Sequence, residues 1–176
     1  LSSCVFSIVP YALEQGFKQG ALLLRAEPIE KLMQDPALPS ALKKKFALTL
    51  KVIAYAKTDL GMKVGSHYQK YVDLNRRWIV QIVTAANKNA LEPYYFEYPI
   101  LGKLPYQGFF DEKDAVALEE KLKIDGWDTY RRRVPAFSSV GFLPDPLLNT
   151  MLNSEMDLVI TLLHELTHTT IYLPSA

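Results

Sequence analysis

Apolar residues recur along the chain with two different periods, and the switch between them organises it. Over residues 39–60, Leu42, Phe46, Leu50, Ile53 and Leu60 fall at helical spacings, as expected of one buried helix face. Gly61 follows as a residue free to adopt the left-handed conformation that ends helices. Residues 11–24 mix Ala, Leu, Glu and Gln and also read as helix, with Pro28 and Pro36 as punctuation. The middle of the chain turns to β-branched and aromatic runs, so residues 78–84, 94–100, 106–110 and 127–137 are expected strands. Residues 111–125 return to helix, with Ala115, Leu118 and Leu122 on one face, a Glu119–Lys123 pair one turn apart and Gly126 as the stop.

Pro144-Asp145-Pro146 forces a turn ahead of the last element. Ser154, with Asp157 three residues on, makes a capping-box variant at the start of a helix expected to run to about Tyr172, just short of Pro174. Helices, then strands, then a final helix point to an α+β fold rather than an alternating parallel sheet. We expect one domain over residues 1–176, with a helical part at about 5–62 and a sheet-containing part at about 63–176. No internal repeat occurs.

Composition narrows the functional classes. With 49% hydrophobic and 22% charged residues in 176, the chain can bury a sizeable core without disulfides or structural metals. No apolar run approaches the roughly 18–20 residues that span a bilayer. A net charge of +1 argues against a dedicated nucleic-acid binder. The charge is unevenly placed: residues 1–88 carry +7 and residues 89–176 carry −6, which favours an anionic membrane surface for the first half and cations for the second. Lys43-Lys44-Lys45 reads as a solvated helix face. Arg131-Arg132-Arg133 lies on a strand, where Arg131 and Arg133 share a face opposite Arg132, and reads as solvated or ion-paired arginine rather than a phosphate cradle.

The chemistry concentrates in His164-Glu165-Leu166-Thr167-His168, a complete H-E-x-x-H inside the last helix. Four residues advance an α-helix by about one turn, so both imidazoles stack on one face, where they can share a tetrahedral Zn2+. Glu165 projects to the side and can take a proton from a water that the metal acidifies toward a pKa of about 7. Two of only three histidines fall at this spacing, on a helix whose Leu158, Val159, Leu162, Leu163, Leu166 and Ile171 make it a core element. Burying such polar groups without a partner would be costly. His67, in Gly65-Ser66-His67-Tyr68, reads as a turn or surface residue. Tyr172, one turn past His168, reads as a core or interface residue.

A third zinc ligand is missing from the pattern. The extended metzincin motif would need Gly and His where Ile171 and Pro174 stand, and only eight residues follow His168. Either the site is completed by an upstream carboxylate or His67, or a glutamate lies beyond Ala176; we expect the latter, in a chain that stops short of the C-terminal half of its fold.

The residues that carry this chemistry resemble a family. His164 to Tyr172, HELTHTTIY, is similar to the active-site helix of the bacterial putative aminopeptidase family, gluzincin-type lipoproteins. The likeness extends through Leu60-Gly61-Met62, Ser66-His67-Tyr68, Tyr71-Val72-Asp73-Leu74, Tyr98-Pro99-Ile100-Leu101-Gly102 and Tyr106-Gln107-Gly108-Phe109-Phe110. It continues in the segment from Ala136 to Phe142 and in Asp145-Pro146-Leu147-Leu148. The resemblance implies a zincin-like fold with N-terminal helices, a small mixed sheet and a C-terminal metal-binding helix. It implies a zinc peptidase, an aminopeptidase, with His164 and His168 as metal ligands, Glu165 as catalytic base and a peptide as substrate. A downstream Phe-Asn-Glu segment would supply the third ligand. In gluzincins a strand ahead of the metal helix pairs with substrate backbone, which nominates Ser138, Ser139, Val140 and Gly141.

Cys4 is the only cysteine and has no partner for an internal disulfide. Leu1-Ser2-Ser3-Cys4 is similar to a bacterial lipobox, and the family implies a lipid-modified cysteine at this place, hence membrane attachment through Cys4 at the periplasmic face of the cell envelope. The rival reading from another class is a catalytically inactive envelope binding or scaffold lipoprotein with a vestigial zinc site.

Overall fold

The computed structural model describes residues 20–98, 102–136 and 144–171. Over these the protein is α+β, with five helices and three small sheets. It divides into two compact units, one formed by Trp78–Val134 and the other by Ala21–Arg77 together with Pro135–Tyr172.

The second unit carries α1 (residues 20–24 are helical), β1 (Glu27–Pro28), α2 (Ile29–Leu32), α3 (Ser40–Thr58), β2 (Lys70–Val72), β8 (Leu147–Leu148), a 3-10 turn (Asn149–Met151) and α5 (Glu155–Thr170). Helix α3 forms where the apolar spacing places it and buries Phe46, Thr49, Val52, Ile53 and Ala56. It ends two residues before expectation: Leu60 lies past the helix and is 45% exposed. Gly61, at φ +64°, reverses the chain so that the Met62 amide reaches back to the Ala56 carbonyl at 2.9 Å. Lys43 and Lys44 are solvated, whereas Lys45 bends over to donate to the Leu152 carbonyl.

The sheet of this unit is mixed: β1 pairs antiparallel with β2, and β2 pairs parallel with β8. None of these short strands stands out in the sequence, because each is two or three residues long and held by its neighbours rather than by its own pattern. Asn149 fixes the loop after β2, accepting from the Leu74 amide at 2.9 Å and donating to the Arg76 carbonyl at 3.0 Å.

In the other unit, β3 (Val80–Ala86) is the central strand between β6 (Gln107–Phe109) and β7 (Asp128–Val134), antiparallel to both. A hairpin of β4 (Phe96–Tyr98) and β5 (Gly102–Leu104) forms the third sheet. Helix α4 (Glu112–Ile124) packs on the three-stranded sheet, and Val83, Ala85, Phe96, Phe109, Ala115 and Leu122 form the shared core. Leu118, expected in that core, is half-buried at its margin. The arginines alternate as the strand requires. Arg131 meets Glu119 at 2.8 Å and Glu112 at 3.2 Å, and Arg133 meets Glu112 at 3.2 Å, while Arg132 is exposed on the other side. Lys123 closes the expected pair with Glu119 at 2.7 Å. Among the described residues no helix is long and apolar enough to cross a membrane.

Candidate active site

Helix α5 starts where its cap dictates. The Ser154 Oγ accepts the Asp157 amide at 3.0 Å and donates to the Asp157 carboxylate at 2.7 Å, which satisfies one of the unpaired amides of the first turn. Leu158, Leu162 and Leu166, each fully buried, set the inner face of the helix. The opposite stripe then carries Met156, Ile160, His164 and His168, at four-residue intervals and all exposed.

On that stripe the His164 and His168 rings stand 5.0 Å apart and nearly perpendicular, at 83°. Their Nε2 atoms are 3.3 Å apart. Two imidazole nitrogens bound at about 2.0–2.1 Å to one tetrahedral zinc would be about 3.3–3.4 Å apart, so the pair has the spacing that ion asks of two ligands. Burial, then the neighbouring His164, pushes the His168 pKa down, which keeps a lone pair available. Glu165 is half-buried beside them. Burial is the first cause that raises its carboxyl pKa, opposed by His164 and reinforced by Asp145. Among the described residues no group of three or more His, Cys, Asp or Glu side chains converges on a metal-sized site.

The last turn of α5 is tied to the loop after α3. The Thr169 hydroxyl donates to the Lys63 carbonyl at 2.8 Å, and the Lys63 amide donates to the Thr170 hydroxyl at 2.9 Å. That loop leads into His67 and Tyr68. His67 lies in a turn, as expected, but it is not a surface residue: it is 8% exposed, and its Nδ1 accepts the Asp145 amide at 3.1 Å with the Asp145 carboxylate 3.6 Å away. With Nδ1 an acceptor, the proton of the neutral ring sits on Nε2. The Tyr68 amide donates to the Asp145 carbonyl at 2.7 Å, and Tyr68 holds φ at +60°. A bulky residue in that region costs about 1–3 kcal/mol and persists only where its surroundings fix it.

His164, Glu165 and His168 lie on one helix, α5, as their spacing leads one to expect, whereas the sequence assigned no role to Asp145 or Tyr68. Both residues stand in segments that carry the family likeness, but locally Pro144-Asp145-Pro146 reads as a turn, and nothing in sequence marks a tyrosine for a left-handed backbone. Cys4, Ser138, Ser139, Val140, Gly141 and Tyr172 lie outside the described residues.

No curated protein and no solved structure matches the chain. A family model does, the one described as Putative aminopeptidase, and it spans residues 10–176. That span takes in both units and the whole of α5, and the chain therefore belongs to the putative aminopeptidase family.

Proposed function

We propose that the chain is a zinc-dependent aminopeptidase of zincin-like architecture, with His164 and His168 as two ligands of the ion and Glu165 as the general base. The observation that carries the reading is the 3.3 Å separation of the two Nε2 atoms on an exposed helix stripe, with a half-buried carboxylate next to them. A zinc ion held there would polarise the scissile carbonyl and acidify a water. Glu165 takes the proton from the attacking water and returns it to the leaving amine. Its partial burial moves its pKa toward the working pH, where such a shuttle is most effective.

The remaining parts of the proposal lie outside the described residues. The segment Ser138, Ser139, Val140 and Gly141 pairs with the peptide backbone, and a lipid on Cys4 anchors the protein at the periplasmic face of a bacterial envelope. The test compares aminoacyl anilides with their N-acetylated counterparts, using the zinc-supplemented full chain. Cleavage of the free-amine substrates only, abolished by a chelator and restored by zinc, is the expected result. No hydrolysis of either series by a zinc-loaded protein would favour a noncatalytic envelope protein instead.

A further inference from the structure

Helix α3 is cationic along its outward face. It carries five lysines and no acidic residue. Lys45 is taken up by the Leu152 carbonyl, while Lys43, Lys44, Lys51 and Lys57 are exposed. At about 100° per residue these four fall within an arc of about 140° and spread over about 21 Å of helix axis, opposite the side that buries Thr49, Val52 and Ala56. None of the four has an ion-pair partner among the described residues, whereas Lys31, Lys103, Lys123, Arg131 and Arg133 each meet a carboxylate. The fourth position after Lys43, Lys44 and Lys51 holds Ala47, Leu48 and Tyr55, where an acidic residue would have paired with the lysine. Lys43 also stands in the first turn of the helix, where the helix dipole disfavours a cation. A row of uncompensated like charges on one helix gains free energy when an anionic surface supplies the missing charge.

The apolar residues among these lysines indicate which anionic surface it is. Tyr55, 49% exposed, stands at the edge of the same arc one turn after Lys51, and Leu60, 45% exposed, lies just past the helix end. A tyrosine and a leucine beside lysines suit the headgroup level of a bilayer, where ring and aliphatic chain sink below the charged groups, whereas a phosphodiester backbone offers Leu60 nothing to pack on. We propose that the outward face of α3 docks on an anionic phospholipid surface, its four free lysines on the lipid phosphates and Tyr55 among the headgroups. The docking depends neither on the peptidase reading nor on a lipid at Cys4, and beside such a lipid it is the second signal that stable anchoring needs. It also sets an orientation. Helices α3 and α5 pack on each other, and the histidine stripe is the outward face of α5, opposite its buried Leu158, Leu162 and Leu166. A bilayer met by α3 therefore leaves His164 and His168 turned away from it.

The test sediments the full chain, carrying Cys4→Ser so that no lipid contributes, with vesicles of phosphatidylglycerol or of phosphatidylcholine. The protein is expected to bind phosphatidylglycerol at low salt, to come off as salt rises, and to bind phosphatidylcholine at least about 10-fold more weakly. Lys43→Gln, Lys44→Gln, Lys51→Gln and Lys57→Gln combined should weaken binding to phosphatidylglycerol by at least about 100-fold. Removing the same charge elsewhere, by Lys88→Gln, Lys103→Gln, Lys113→Gln and Lys121→Gln at exposed positions, should weaken it by less than about 3-fold. Equal losses in the two variants would overturn the proposal, because net charge alone would then be acting. Equal binding to the two lipids would overturn it as well, and so would a DNA duplex bound as tightly as phosphatidylglycerol through the same four lysines. If the α3 variant does not fold, the chain with its lysines intact decides alone. Phosphatidylglycerol vesicles should shield Lys43, Lys44, Lys51 and Lys57 from acetylation but not Lys113 and Lys121, and should leave His164 and His168 reactive toward diethyl pyrocarbonate. Uniform labelling of the lysines, or shielded histidines, would refute it.

Discussion

The Lys63 backbone is taken at both ends by the last turn of α5: its amide donates to the Thr170 hydroxyl at 2.9 Å, and its carbonyl accepts the Thr169 hydroxyl at 2.8 Å. The helix that carries the histidine pair is thereby coupled to the loop that carries His67 and Tyr68. Thr170→Val keeps the shape and removes the acceptor. We expect it to lower stability by about 0.5–1.5 kcal/mol, the net value of one ordinary hydrogen bond, as read from the urea midpoint. An unchanged midpoint would mean that water replaces the threonine at no cost.

Glu165→Gln preserves size and removes the base. The variant should bind zinc as wild type does and lose about 10²–10⁴-fold in kcat, with KM for an aminoacyl anilide little changed. Metal content and steady-state kinetics measured on one preparation check this. Wild-type kcat in the variant would remove Glu165 from the proton transfer.

The start of α5 depends on one side chain. Ser154→Ala leaves the Asp157 amide without its cap and should destabilise the protein by about 1 kcal/mol. Ser154→Asn, a cap of similar strength, should restore it. Matching denaturation curves for the alanine variant and wild type would show that tertiary packing of Leu158, Leu162 and Leu166 alone fixes the helix start.

Alkaline pH should destabilise the protein through its buried phenols. Burial first, and then the Asp73 carboxylate, push the Tyr71 pKa from 10.0 up to about 12. The folded state holds that proton more tightly than the unfolded chain does. The resulting stabilisation is whole below pH 10, declines above it and is gone once pH passes about 12. Tyr71→Phe should therefore show a shallower fall of the urea midpoint between pH 10 and pH 12 than wild type. Parallel falls in the two proteins would contradict the shift.

What could be read from the sequence follows the reach of its local signals. Helix α3 and helix α4 announce themselves because their apolar residues keep one helical period, the central strand β3 because it falls in a β-branched run, and the Ser154 cap fixes α5 to the residue. The histidine pair was legible because i,i+4 spacing on a helix is itself a geometric statement. The pairing of β2 with β8 was not, since Tyr71–Leu147 and Val72–Leu148 are contacts between segments far apart in sequence with no pattern of their own. The burial of His67 escaped for the same reason: its cover is Asp145, 78 residues away. The left-handed backbone of Tyr68 carries no local sequence signal, because a positive φ at a tyrosine is imposed by the anchors around it.

Zinc per chain, determined by elemental analysis on wild type beside His164→Ala and His168→Ala, tests the central claim most directly. The account predicts one zinc per wild-type chain and loss of most of it in either alanine variant, with the melting temperature of the metal-free protein nearly unchanged. Wild-type protein that takes up no zinc at neutral pH, or histidine variants that retain it fully, would contradict the account.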